Sequence, residues 1–140
     1  MKKQKTMGNK GFSLVELIVV IAIMAVLVGV LAPQFIKYVE RSRESTDVQN
    51  IDQIISTVEV YVASSDTATL DGLSITNTTA GTKTLTLDAT TTAALADAGI
   101  SAPALKSGKW DVISISYNTT DKKVTYSGTA EYYNIDGTTK

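Results

Sequence analysis

Apolar positions follow three successive patterns along the chain. From Phe12 to Ala32, Val, Ile, Leu, Ala and Met fill every side of a helix, with Glu16 the one acid among them. A helix apolar all round belongs in lipid or among other helices. Leu17 to Ala32 carries no charge, and as a helix it reaches roughly 24 Å. Counted from Phe12 the reach is roughly 32 Å, against a hydrocarbon core of about 30 Å. The segment therefore spans a bilayer only with Phe12 to Glu16 at the inner edge. After Pro33 the pattern turns one-sided. Val48, Ile51, Ile55, Val58 and Val62 recur at spacings of three and four, a helical stripe that Phe35, Ile36 and Val39 extend upstream. Together these predict one helix over 13–63, roughly 75 Å long, ended by Ser64-Ser65-Asp66. Within it Glu40-Arg41-Ser42-Arg43-Glu44-Ser45-Thr46-Asp47 is polar all round. It reads as a solvated face supported by Glu40–Arg43 and Arg43–Asp47 pairs.

The remainder alternates in short runs. Residues 67–92 hold eleven threonines, with turns marked by Asp71-Gly72, Asn77 and Gly81 and a short strand at Lys83-Thr84-Leu85-Thr86-Leu87. Thr90 to Ala98 reads as a short helix capped by threonines and stopped by Gly99. Three to four strands follow in meander order. One lies in Trp110 to Tyr117, alternating from Ile113, one at Lys123 to Tyr126, and one at Thr129 to Ile135. The expected fold is α+β: a long N-terminal helix packed on a small antiparallel sheet whose apolar face covers the Val48-to-Val62 stripe. Trp110 and the tyrosines read as core and rim.

Charge sharpens the N-terminal picture. The formal charge of −1 conceals a basic start: residues 1–11 hold Lys2, Lys3, Lys5 and Lys10 and no acid. Without those four, nine basic side chains face fourteen acidic ones, a formal −5. Lysines before an apolar run keep that end cytoplasmic and send the C-terminus across. A net-acidic body argues against sequence-independent nucleic-acid binding, and Lys122-Lys123 with Tyr126 is too small a patch to change that. There is no cysteine and no histidine. This removes disulfides, Cys–His and Ser–His–Asp catalysis, and the usual zinc ligands. Asp66, Asp71, Asp121 and Asp136 stand singly among turn residues, where aspartate is expected without calcium. No enzyme activity, metal or cofactor is predicted.

The junction between basic start and apolar run carries the specific signal. Lys10-Gly11-Phe12-Ser13-Leu14-Val15-Glu16 resembles, at every position, the N-terminus of type IV pilin precursors and the related type II secretion pseudopilins. An ordinary secretory signal is cut after its apolar region; here the Gly-Phe junction precedes it. The resemblance implies a leader, residues 1–11, removed between Gly11 and Phe12 by a prepilin peptidase that also methylates the Phe12 amine. It implies a transmembrane or filament-core helix over 12–33 and a globular head over 34–140. Gly11, lacking a side chain, lets the backbone approach the protease.

The same resemblance gives Glu16 a role. A lone carboxylate inside a membrane helix costs roughly 2.5–3.5 kcal/mol, and in a dry filament centre it needs a partner. The Phe12 amine of a neighbouring subunit supplies one, fixing the register while helix packing supplies cohesion. Gly29 and Pro33 mark a kink, since Pro33 lacks a donor and clashes with the carbonyl of Gly29. Local melting there would lend a filament extensibility. Arg41, Arg43, Glu44 and Asp47 gain a second candidate role as salt bridges between subunits, and the threonines as an O-glycosylated surface.

The implied life cycle begins as a single-pass cytoplasmic membrane protein with the head outside. It ends as a self-assembled homopolymer on the cell surface, built by an inner-membrane platform and an ATPase-driven machine, and serving adhesion, motility or DNA uptake. Two alternatives stand beside it: a pseudopilin of a secretion or competence machine, and a monomeric membrane-anchored binding module. Many Gram-negative pilins close their C-terminal region with a disulfide. This chain must hold that region otherwise, by strand pairing and packing.

Overall fold

The computed structural model describes residues 11–66 and 68–140. The basic leader up to Lys10, and Thr67, lie outside them. The fold is α+β. Helix α1 runs over Leu14–Ser64, within one residue of the predicted span at either end. The chain divides into two compact units, one ending at Lys37 and the other covering Tyr38–Lys140.

In the first unit every described residue is exposed. Its helical segment is long and apolar enough to cross a membrane. Helix α1 continues through Gly29 and Pro33 without a break.

The second unit holds the core. The rest of α1 is followed by a 3-10 turn at Leu70–Gly72, strand β1 (Ser74–Thr76), strand β2 (Thr86–Leu87), helix α2 (Ala89–Asp97), strand β3 (Ser114–Asn118) and strand β4 (Lys123–Ser127). The strands form one antiparallel sheet in the order β2-β1-β3-β4. Leu87, Ile75, Ile115 and Tyr126 pair in a row across it. Ile75 and Ile115, at the centre, are fully buried with Val48, Ile51, Ile54, Ile55 and Val58 of α1. The apolar stripe therefore meets the sheet face as expected, with Ile54 added to it and Val62 only partly buried.

The sheet is not the expected meander. Two of its four strands come from the threonine-rich stretch, and β1 sits inside the sheet, between β2 and β3. Asn77 extends the β1–β3 pairing with its side chain. It is buried, its Oδ1 accepts from Ile113 N–H at 2.6 Å, and its own N–H donates to the Ile113 carbonyl at 3.1 Å. The strand expected over Thr129 to Ile135 is reduced to two isolated bridges, Thr129 with Asn134 and Tyr133 with Thr139. Gly128, at φ 143°, turns the chain there.

Helix α2 starts one residue before the predicted position, and its cap is Asp88, not a threonine. The Asp88 carboxylate accepts from Thr90 N–H (2.9 Å) and Thr91 N–H (3.1 Å). It also accepts from the Thr91 hydroxyl and, across to β1, from Ser74 N–H at 3.1 Å. Gly99, at φ 68°, ends the helix, and Ile100 N–H reaches back to the Leu95 carbonyl at 2.8 Å, a glycine-closed helix end.

A larger correction concerns the stretch from Glu40 to Asp47. Instead of a wholly solvated face, Glu44 and Asp47 are 0% exposed. Glu40, Glu44 and Asp47 fall at spacings of four and three, so they share one face of α1. Glu44 accepts three consecutive backbone donors, Glu131 (3.1 Å), Tyr132 (2.7 Å) and Tyr133 (3.1 Å). Asp47 accepts Lys106 N–H (2.6 Å), Ser107 N–H (2.8 Å) and the indole N–H of Trp110 (2.9 Å). Glu40 accepts from the Ser107 hydroxyl and pairs with Arg43 at 3.4 Å, the i,i+3 pair expected. Burying an ionised carboxylate is costly unless it is hydrogen-bonded, and N–H donors meet that need without a cation. The C-terminal region is thus held by carboxylates as well as by pairing and packing.

Candidate functional site

The predicted site lies at the start of α1. Ser13 precedes the first helical residue. Its Oγ accepts from Val15 N–H at 3.3 Å, while Glu16 Oε2 accepts from Ser13 N–H at 2.8 Å. This is a reciprocal capping box, Ser-x-x-Glu, which satisfies two donors that a helix start otherwise leaves unpaired. The acid also sits where the positive end of the helix dipole favours negative charge. Glu16 therefore has a partner within its own chain, which sequence reasoning had sought only on a neighbour. The signal was present in the motif itself, since serine followed three residues later by glutamate before an apolar run is a helix-start signature.

Phe12 is 93% exposed, and nothing approaches the position a Cβ would take at Gly11. The Gly11–Phe12 bond thus lies ahead of α1, open on its surface. Phe12, Glu16, Leu17 and Val20 line one shallow apolar recess. In the uncut chain the Phe12 nitrogen is a neutral peptide nitrogen. A cation arises there only when that bond is cut. Glu16 and Phe12 are thus neighbours on one surface.

Gly29 lies one helical turn before Pro33 on the same exposed, apolar part of α1, and a Cβ at Gly29 would meet nothing within 4 Å. Among the described residues no group of three or more acids gathers into a metal site. Arg41 lies over the Tyr133 ring at 5.9 Å from its centre, beside the loop that Glu44 holds.

The comparisons with known proteins concern the same region. The prokaryotic N-terminal methylation motif matches residues 6–32. The type IV major pilin protein PilA of Myxococcus xanthus is 33% identical over 58 residues, 41% of this chain and 26% of that protein. The type IV major fimbrial protein FimA of Dichelobacter nodosus is 35% identical over 54 residues, 39% of this chain and 35% of that protein. The chain thus spans about a quarter to a third of the length of these curated relatives. No solved structure matches.

Proposed function

We propose that this chain, whose N-terminal region is that of a type IV pilin precursor, is a structural subunit of a type IV pilus filament and not an enzyme. The single observation that carries this reading is the methylation motif over 6–32, with Glu16 capping an otherwise apolar, exposed helix. In the proposed sequence, a prepilin peptidase cuts after Gly11 and methylates the new Phe12 amine. The subunit waits in the cytoplasmic membrane on its apolar segment with the head outside. An assembly platform and its ATPase then draw it into a homopolymer. There the Phe12 amine of one subunit meets Glu16 of another. The desolvation cost of each charge falls in the presence of the other, and the pair selects register. Gly29 and Pro33 supply the point where the helix bends on packing.

The test is mass spectrometry of the N-terminal peptide from cells that make the protein together with the peptidase. The expected first residue is Phe12 carrying an N-methyl group. A chain that still begins with Met1 or Lys2 in such cells would return the protein to an uncut membrane anchor with the head as binding module.

A further inference from the structure

The row Glu40–Glu44–Asp47 does more than satisfy buried charge. Its acceptors reach two chain segments far apart in sequence, the loop around Lys106 to Trp110 and the tail around Glu131 to Tyr133. These segments are also joined to each other, because Asp111 N–H donates to the Thr129 carbonyl at 2.9 Å. Leu105 and Trp110 of the first and Ala130 and Ile135 of the second all lie in the head's core cluster, and the first also bonds to the stretch before β2, through Gly81 N–H to the Trp110 carbonyl (2.9 Å) and Leu105 N–H to the Lys83 carbonyl (2.8 Å). The tail closes on itself through Ala130 N–H to the Tyr133 carbonyl (2.8 Å), Lys140 N–H to the Tyr132 carbonyl (3.1 Å) and Lys140 Nζ to the Ala130 carbonyl (2.5 Å). Next to both, β3 is anchored separately, by its pairing with β1 and by Asn77 on Ile113.

We propose that the 105–111 loop and the 128–140 tail form a single latch, closed on α1 by these three carboxylates, which opens and closes as one unit while α1 and the sheet stay folded. The chemistry explains the coupling. When the tail lifts, Glu44 loses three donors at once and must take water in their place. Water reaching Glu44 is one helical turn from Asp47 and from Glu40, so their low-dielectric setting fails together. The Asp111–Thr129 link and the shared Trp110–Ala130 packing pull the second segment after the first. The latch is then the conformational device of the head: a cooperative step that draws Leu105, Trp110, Ala130 and Ile135 from the core cluster while Ile75 and Ile115 stay against α1, and that governs whether Trp110, the chain's one tryptophan, is covered.

The test is native-state hydrogen exchange on the full chain in detergent micelles, resolved by peptide, over a range of mild urea. In the unmutated chain the amides of residues 106–107 and 131–133 are expected to share one opening rate and one urea dependence, with the amides of Ile75 and Ile115 opening more rarely. Glu44→Gln keeps the side-chain volume but turns an amide NH2 towards the N–H donors. Exchange is expected to rise about ten- to hundredfold at both segments, with Trp110 emission shifting to the red and β1 and β3 unchanged. Asp47→Asn is expected to do the same from the other end. A response confined to 131–133 in Glu44→Gln, or different urea dependences of the two segments in the unmutated chain, would overturn the latch in favour of independent anchors. Exchange of the two segments only together with Ile75 and Ile115 would overturn it in favour of global unfolding. No filament is needed for any of these readings, so they stand apart from the proposed assembly.

Discussion

At residue scale, Ser13 and Glu16 separate two uses of one carboxylate. As a helix cap, Glu16 is half of a reciprocal pair with Ser13. In the proposed assembly role it would need no serine, only its charge and an amine on a neighbour. Ser13→Ala removes the Oγ that caps Val15 N–H and costs about 1 kcal/mol of helix stability, but leaves the carboxylate in place. Glu16→Ala removes the cap and, in the proposed filament, would leave the neighbour's amine buried without a counter-ion, a loss of about 3–5 kcal/mol. Ser13→Ala is therefore expected to give filaments in near-normal amount, and Glu16→Ala or Glu16→Val to give processed, membrane-bound, unassembled subunit. Immunoblots of sheared-filament and membrane fractions read both. Abundant filaments from Glu16→Ala would remove the charge pair from the proposal.

At element scale, Asp88 governs the start of α2 and its tie to β1. Burial pushes its carboxyl upward, but the Thr91 hydroxyl and the Ser74, Thr91 and Thr90 N–H groups together hold it below its ordinary value of 3.8. A folded-state pKa lowered in this way adds stability that is present above the unfolded pKa and lost as pH falls through the folded one. Thermal unfolding of the head followed by circular dichroism is thus expected to lose stability on acidification below about pH 4. Asp88→Ala should flatten that dependence and lower stability by about 0.5–2 kcal/mol at neutral pH; a dependence that persists unaltered would assign it to other carboxylates. The sequence announced α2 through its glycine stop and gave the long helix through its spacing, because both signals are local. Strand β1 was hidden for a different reason. Leu73, Ile75 and Asn77 do alternate, and all three are buried, but they are bracketed by turn residues and Asn77 holds a core position by hydrogen-bonding rather than apolarity. The carboxylate row was hidden likewise. Glu40, Glu44 and Asp47 continue the spacing of Ile51, Ile54 and Val58 along α1, so position pointed inward while chemistry pointed outward. Only the partners, roughly sixty to ninety residues on, reconcile the two.

At the scale of the whole molecule, the span of the long helix and the motif at its start were legible in the sequence, whereas the head was legible only in class. The site is a contiguous motif; the head is built from contacts of long sequence range. The same contrast predicts independence. Every residue of the buried cluster lies between Val48 and Ile135, and the carboxylate row begins at Glu40, inside the unit Tyr38–Lys140. That unit carries eight basic and thirteen acidic side chains, a formal −5, and none of the apolar run that calls for lipid. A chain restricted to 38–140 is therefore expected to be water-soluble and to unfold in one cooperative transition, with Trp110 emission blue-shifted in the native state and red-shifted after it. Its stability should differ from that of the head in the full chain by no more than about 1 kcal/mol, since what is removed includes no cluster residue and the new terminus frays only the turn before Glu40. If 38–140 were instead to show exposed-tryptophan emission and no transition, the head would depend on the apolar half of α1 for its fold, and that half would have a structural duty besides the proposed anchoring and assembly.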